Sequence, residues 1–195
     1  MLAAVILSGG ASSRMGSPKA LLPYQGRPFL EHLLEITMRP EIGARKVVLG
    51  ADADSIAKAI PLKANEMVIN PQWEKGQLSS IQAAVRKLPA GTDGMLLCLI
   101  DHPLISSALV TELIERFYQS RKSIVLPVYE RRRGHPVIFA ASLYDELLRA
   151  PLETGARAVV WAHNDDVEEV RTNEEGCVLN LNDPETMNRA IRGES

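Results

Sequence analysis

The chain has no excess of positive charge: 22 Lys and Arg stand against 24 Asp and Glu, a net charge of −2 over 195 residues. Proteins that neutralise phosphates along DNA or RNA carry a basic balance or stripe, so a nucleic-acid partner is excluded. Cysteine is scarce as well. Cys98 and Cys177 lie in apolar runs without metal-ligand spacing, which reads as two small buried hydrophobes in a reducing compartment rather than a disulfide framework or a zinc site. The N-terminal MLAAVIL lacks a basic leader, and the glycine pair Gly9-Gly10 breaks it far short of a membrane span. The expectation is a cytoplasmic protein with no membrane partner. Repeats, low-complexity tracts and linkers are missing too, which leaves one domain over residues 1–195. At this length ~70% of the unfolded surface can be buried on folding.

What is present is an alternation of short apolar strands with amphipathic helices, the pattern of a mostly parallel sheet covered on both faces. Strands are expected at Ala3–Leu7, Lys46–Leu49, Glu66–Ile69 and Gly94–Ile100. Helices are expected at Pro28–Met38, Asp54–Ile60, Leu78–Leu88 and Ser107–Tyr118, with Pro40, Pro61 and Pro89 as stops. Ser123–Val128 and Pro136–Phe139 flank ERRRGH as a hairpin, so one antiparallel pair interrupts the parallel order. Helices at Ala141–Leu148 and Gly155–Ala162, strands at Val167–Arg171 and Val178–Leu181, and a terminal helix at Pro184–Ile191 complete the chain.

The chemistry concentrates at LSGGASSRMGSPK, residues 7 to 19. An apolar strand runs into small residues whose backbone can lie against a ligand, and two cations, Arg14 and Lys19, are spaced to converge on one anionic group. Neither common phosphate loop fits. The G-x-x-x-x-G-K-[ST] pattern fails at Ser17-Pro18-Lys19, and G-x-G-x-x-G is not there. The residues alone support phosphate binding by backbone N–H groups with an arginine fork and a lysine point charge, against a solvated glycine-rich turn. Asp101 falls just beyond the apolar strand GMLLCLI, where open α/β sheets place ligands. There it is either a hard oxygen ligand for Mg²⁺ or the cap of the following helix.

These stretches carry a resemblance. LSGGASSRMGSPKALLPYQGRPFLEH resembles the signature of the molybdenum-cofactor nucleotidyltransferases, within the NTP-transferase superfamily, and further matches follow after each major strand. The resemblance implies a three-layer α/β/α sandwich of the nucleotide-diphospho-sugar transferase type, Rossmann-like. It also implies transfer of a nucleoside monophosphate from an NTP to a pterin phosphate acceptor. Arg14, Lys19 and Asp101 would be the catalytic residues. Leu7, Ser8, Gly9, Gly10, Ala11, Arg14 and Lys19 would bind the nucleotide, with Asn70, Gln77, Leu78, Ser79 and Ser80 from the stretch NPQWEKGQLSSI.

Asp101-His102-Pro103-Leu104 is similar to the family's D-[MQ]-P-L, and implies Mg²⁺ held by Asp101. Asn180-Leu181-Asn182-Asp183-Pro184-Glu185 resembles the family's second metal stretch and offers Asn182 as an amide ligand. Asp183 is read as a helix cap, His102 as a cleft wall and Trp73 as a packed aromatic. Arg131-Arg132-Arg133-Gly134-His135-Pro136 resembles the family's R-R-G-H-P and places Arg132, Arg133 and His135 on the acceptor side. Thr154-Gly155-Ala156-Arg157 resembles G-x-x-G-A-R, which either orders a loop near the acceptor or starts a helix. Gly9 and the Asn180/Asn182 pair are similar to the guanylyl branch, while Ser79-Ser80 is similar to the cytidylyl branch. CTP is therefore the expected donor with GTP the alternative, and a molybdoenzyme or its chaperone the implied recipient. A sugar- or polyol-phosphate cytidylyl- or uridylyltransferase, and a nucleotide-binding delivery protein without turnover, are the rival readings.

Overall fold

Seven consecutive buried residues, Leu2–Ser8, form strand β1 at the centre of the molecule. A strand buried on both faces has no polar side to show, which is why its sequence LAAVILS does not alternate. In the computed structural model, residues 1–11, 16–182 and 185–187 are described. The main sheet contains β4 (Ile42–Leu49), β5 (Met67–Ile69), β6 (Gly94–Leu99), β7 (Ile124–Tyr129), β9 (Val137–Ala140) and β10 (Val167–Arg171) beside β1. Two-residue strands β2 (Pro23–Tyr24) and β3 (Arg27–Pro28) form a separate hairpin.

The order across the main sheet is β10-β7-β9-β6-β1-β4-β5, and β8 (Arg132–Arg133) pairs on β7. β1 runs parallel to β4 and β6, β5 parallel to β4, and β10 parallel to β7. Only β9 and the short β8 run against their neighbours: β9 is antiparallel to both β6 and β7. The reversed strand expected from the ERRRGH hairpin is therefore present, inserted in the middle of the sheet.

Alternation along the strands separates two apolar layers. Leu2, Ile6, Val47, Leu49, Leu96 and Cys98 face one side, where α1 (Phe29–Ile36), α2 (Ala53–Ala59) and α4 (Ser107–Ser120) cover them. Val5, Leu7, Val48, Leu97 and Leu99 face the other, under α3 (Gln77–Val85), α5 (Tyr144–Arg149) and α6 (Arg157–Ala162). This is the three-layer α/β/α sandwich. Among the described residues, no helix is long and apolar enough to cross a membrane.

One expected strand is corrected. Val178–Leu181 is not a strand; a single 3-10 turn, Glu175–Cys177, precedes an irregular stretch. The run is apolar because Cys177, Val178 and Leu181 are buried. Its backbone partners are loops: the His135 N–H donates to Cys177 O at 2.8 Å, and the Leu181 N–H to Asp101 O at 2.8 Å. Burial without a ladder leaves the same sequence signature as a short strand. The terminal helix is seen at residues 185–187, and the rest of it lies outside the described residues.

Candidate active site

Four parallel strands end at one edge of the sheet, and a polar or glycine residue follows each within two positions. Gly9-Gly10 follows β1, Gly50 follows β4, Asn70 follows β5, and Ile100-Asp101 follows β6. The chain leaves β1 toward β4 and β5, then crosses back to β6 on the other side. The crevice between β1 and β6 is thus a switch point of the strand order, where open α/β sheets bind ligands.

A cleft of about 230 Å³ opens there. Of the residues singled out in the sequence, Leu7, Gly9, Gly10, Ala11, Lys19, Gln77, Ser80 and Asp101 line it. Arg14 and Asp183 lie outside the described residues. Ser8, Leu78, Ser79 and Asn70 are buried behind the cleft wall. Trp73, read from sequence as a packed aromatic, lines the cleft together with Gly76.

Asn70 is the brace of that wall. Its Nδ2 donates to Ser79 Oγ at 2.9 Å and Ser80 Oγ at 3.0 Å, and its Oδ1 accepts from the Gln72 N–H at 3.0 Å. The Ser79 hydroxyl in turn donates, shared between the carbonyls of Gln72 and Gly76, at 2.9 and 2.7 Å. Asn70 and Ser79 are thereby occupied within the protein, and Ser80 is the hydroxyl of the pair that borders the cleft.

The glycines allow a close approach. A Cβ on Gly9 would lie 3.0 Å from Ser80 Oγ. Gly50 was not anticipated from sequence, yet a Cβ there would lie 2.1 Å from Gly9 O and 2.7 Å from Trp73 Cβ. The end of β4 can press against the glycine-loop backbone only because Gly50 has no side chain.

The Asp101 side of the cleft is assembled from distant segments. Lys19 Nζ donates to Asn182 Oδ1 at 2.5 Å, and the Leu181–Asp101 backbone bond holds the adjacent residue against the β6 end. The Asp101 side chain is partly exposed, at 23%. Among the described residues, no group of three His, Cys, Asp or Glu could hold a metal. One carboxylate and one amide oxygen nonetheless suit Mg²⁺, which keeps several waters and takes further oxygens from substrate phosphates. Asp101 and Asn182 would hold it, and Asn182 Oδ1 already sits where a cation, here the Lys19 ammonium, is drawn.

Segment 174–182, which carries Asn182, is gripped from two sides. Glu174 accepts from Ser106 Oγ at 2.5 Å and from the Ser106 N–H at 3.1 Å, beside the α4 cap that Ser106 makes to the Leu109 N–H at 3.0 Å. Cβ atoms on Gly134 and Gly176 would lie 2.4 Å from Cys177 O and 2.7 Å from Leu104 O. The His102 and His135 rings meet between these loops with centroids 5.2 Å apart and planes tilted by 47°. Burial lowers the pKa of both imidazoles, His135 to about 3, with the neighbouring His102 adding to its shift. His135 is half-buried by area, but its Nδ1 is sealed from solvent and has no partner among the described residues, so the ring is neutral at physiological pH.

A second cavity, of about 380 Å³, adjoins the first, with Gln77 lining both. Arg133 and His135 border it, as do Gly155, Arg157 and Trp161. Arg133 is tied to Glu169 at 2.7 Å and to Asn164 at 2.9 Å, while Arg132 reaches Val178 O at 3.4 Å. Gly50, Glu174 and Trp161 were missed in the sequence. A glycine directly after an apolar strand is a usable signal for the first, whereas isolated Glu174 and Trp161 carry none.

Comparison with known proteins agrees with this geometry. Residues 4–167 match the family model described as "MobA-like NTP transferase domain". Nicotine blue oxidoreductase of Paenarthrobacter nicotinovorans is 33% identical over 146 residues, covering 71% of both chains. Molybdenum cofactor guanylyltransferase of Rhizobium meliloti is 32% identical over 171 residues, 86% of this chain and 72% of that one. The bifunctional protein GlmU of Agrobacterium fabrum is 39% identical over 108 residues, but the match covers only 24% of its length. Among solved structures, Rv0371c of Mycobacterium tuberculosis superposes with a TM-score of 0.81 at 24% identity, over 98% of this chain and 99% of that one. A putative glucose-1-phosphate thymidylyltransferase of Bacillus anthracis gives 0.79 at 12% identity, over 100% of this chain and 95% of that one, which shows the shared fold. The chain belongs to the MobA-like NTP transferase family and is a nucleotidyltransferase.

Proposed function

We propose that the protein transfers a nucleoside monophosphate from CTP to the phosphate of molybdenum-bound molybdopterin, releasing pyrophosphate. One observation carries the reading: Lys19, Asp101 and Asn182, distant in sequence, converge beside the glycine loop, and the R-G-H-P hairpin borders the adjoining cavity. The relatives named molybdenum cofactor guanylyltransferase support the acceptor.

An acceptor phosphate oxygen forms the new bond to the α-phosphorus as the α–β bridging P–O bond breaks, and the electron pair leaves with pyrophosphate. A phosphate monoester is already largely ionised at neutral pH, so no general base is needed, and position and charge neutralisation supply the rate. Loop N–H groups, Lys19 and Arg14 hold the triphosphate. Asp101 and Asn182 would hold Mg²⁺, which when bound would supply positive charge to offset that on the phosphate oxygens. Residues 1–195 act as one domain, in the cytoplasm, and pass the product to a molybdoenzyme or its chaperone.

Ser80 supports CTP over GTP. Its hydroxyl accepts from Asn70 and keeps its own proton for the cleft. A donor here suits both the O2 and the N3 acceptors on the pairing edge of cytosine, whereas the pairing edge of guanine offers it one acceptor, O6, beside the N1 and N2 donors.

The test is pyrophosphate release with acceptor, Mg²⁺ and each NTP. Turnover with CTP at least tenfold above GTP, abolished in a folded Asp101→Ala chain, is expected. Nucleotide binding without pyrophosphate release would instead favour a binding protein without transfer, a distinction that matters because one relative carries the name of an oxidoreductase.

A further inference from the structure

We propose that Trp161 and Arg157, on the rim of the second cavity, form a cationic stacking platform that selects acceptors with a flat conjugated ring over sugar phosphates. The inference rests on the proposed transfer reaction and names the feature of the acceptor that the site would read.

Trp161 is 61% exposed and lines a cavity rather than an open face. The Arg157 guanidinium lies 5.8 Å from its ring centroid, one turn earlier on α6. That contact orders the indole and places positive charge beside it. The sequence pointed to Arg132 and Arg133 as the acceptor cations, but Arg133 is neutralised by Glu169 and Arg132 leans on a backbone carbonyl. Arg157 makes no ion pair among the described residues.

The rest of the lining decides between two ligands that stack on indoles. A sugar needs acceptors for its hydroxyls, commonly carboxylates, but none of the residues lining this cavity is Asp or Glu. Its floor is apolar, with Ile81, Leu97, Val137 and Phe139. Apolar walls, an edge of indole and a guanidinium suit a conjugated ring bearing an anionic group. Stacking of a heteroaromatic ring on an aromatic side chain is worth roughly tenfold or more in affinity.

The chain has two tryptophans, and the structure puts Trp73 in the nucleotide cleft and Trp161 in the acceptor cavity. A Trp73→Phe chain therefore reports on the acceptor cavity alone. Adding 6-hydroxymethylpterin phosphate should quench its fluorescence, and glucose 1-phosphate should leave it unchanged. By calorimetry with Trp73 intact, Trp161→Ala and Arg157→Ala should weaken pterin phosphate at least tenfold, Trp161→Phe should retain most of the affinity, and Arg133→Ala should change it less than threefold. Parental affinity in Trp161→Ala, failure of the parent to bind pterin phosphate, or equal quenching by glucose 1-phosphate would overturn the platform. CTP–Mg²⁺ thermal shifts on the same chains separate the two levels. A normal shift in the parent with no Trp161 effect sinks the platform alone, whereas a Trp161-dependent pterin site in a chain that no NTP stabilises sinks the transfer reading.

Discussion

Replacing Asn70 tests whether the wall beside the cleft is braced internally or reads the base directly. The side chain is 3% exposed and makes three hydrogen bonds, to Ser79, Ser80 and the Gln72 amide. Each is worth about 0.5–1.5 kcal/mol net, and the Asn70→Ala change also strands the Gln72 N–H, so a loss of about 2–4 kcal/mol is expected. For a chain of this size, ~1 kcal/mol moves the melting temperature by ~2–4 °C, which puts the nucleotide-free protein roughly 4–16 °C lower. Ser80→Ala removes one of the three bonds, and its loss should be about 1 kcal/mol alone and close to nothing on top of Asn70→Ala. Calorimetric melting of the two single variants and the double variant without nucleotide is the assay. The ratio of CTP to GTP affinity should shift in Ser80→Ala. An Asn70→Ala chain that melts within a degree of the parent but loses base preference would refute the brace and make Asn70 a base reader.

Gly50→Ala places a methyl 2.1 Å from Gly9 O, a backbone atom that cannot swing aside, so the loop must shift. A lower melting temperature together with at least tenfold weaker nucleotide binding is expected, by thermal shift and calorimetry, and unchanged binding would contradict the close approach. His135, held near pKa 3 by burial, takes up its proton in the unfolded chain near pH 6.5 but not in the folded one. Stability attributable to it is therefore complete above about pH 6.5 and is lost as pH falls toward 3. A His135→Gln chain should lose less melting temperature between pH 7 and 4.5 than the parent does. Burial pushes the thiols of Cys98 and Cys177 up to about 12 and about 11, so native protein at pH 7.5 should resist iodoacetamide until it is unfolded. Rapid labelling by mass spectrometry in the folded state would count against that burial.

The sheet was legible because its central strands are buried on both faces: GMLLCLI admits little besides a covered strand. The expected strand at Val178–Leu181 failed for the same reason turned around, since a loop plugging the core is as apolar as a strand. In the cleft, Gly9, Lys19, Ser80 and Asp101 could be found because their chemistry is unusual beside apolar neighbours. The roles of Asn70 and Ser79 could not be read, because the donor and acceptor atoms that make them attractive as ligands are consumed by each other in three dimensions. Gly50 and Trp161 matter through what stands opposite them, a carbonyl 2.1 Å from a Cβ position in one case and a cavity in the other, and neighbours across the fold leave no mark in local sequence.

Strand β9, running against β6 and β7, divides the sheet into two blocks that meet at a single seam. On one side, β1, β4, β5 and β6 end at the first cleft, while on the other the β7–β9 connection and α6 border the second cavity. Exchanging the half that begins at β7 for that of a relative should give a chimera with the old donor and a new acceptor, provided the incoming counterpart of segment 174–182 still meets Ser106 and Asp101, which stay with the first half. A scaffold of this kind can diversify its products by recombination without relearning how to hold a triphosphate.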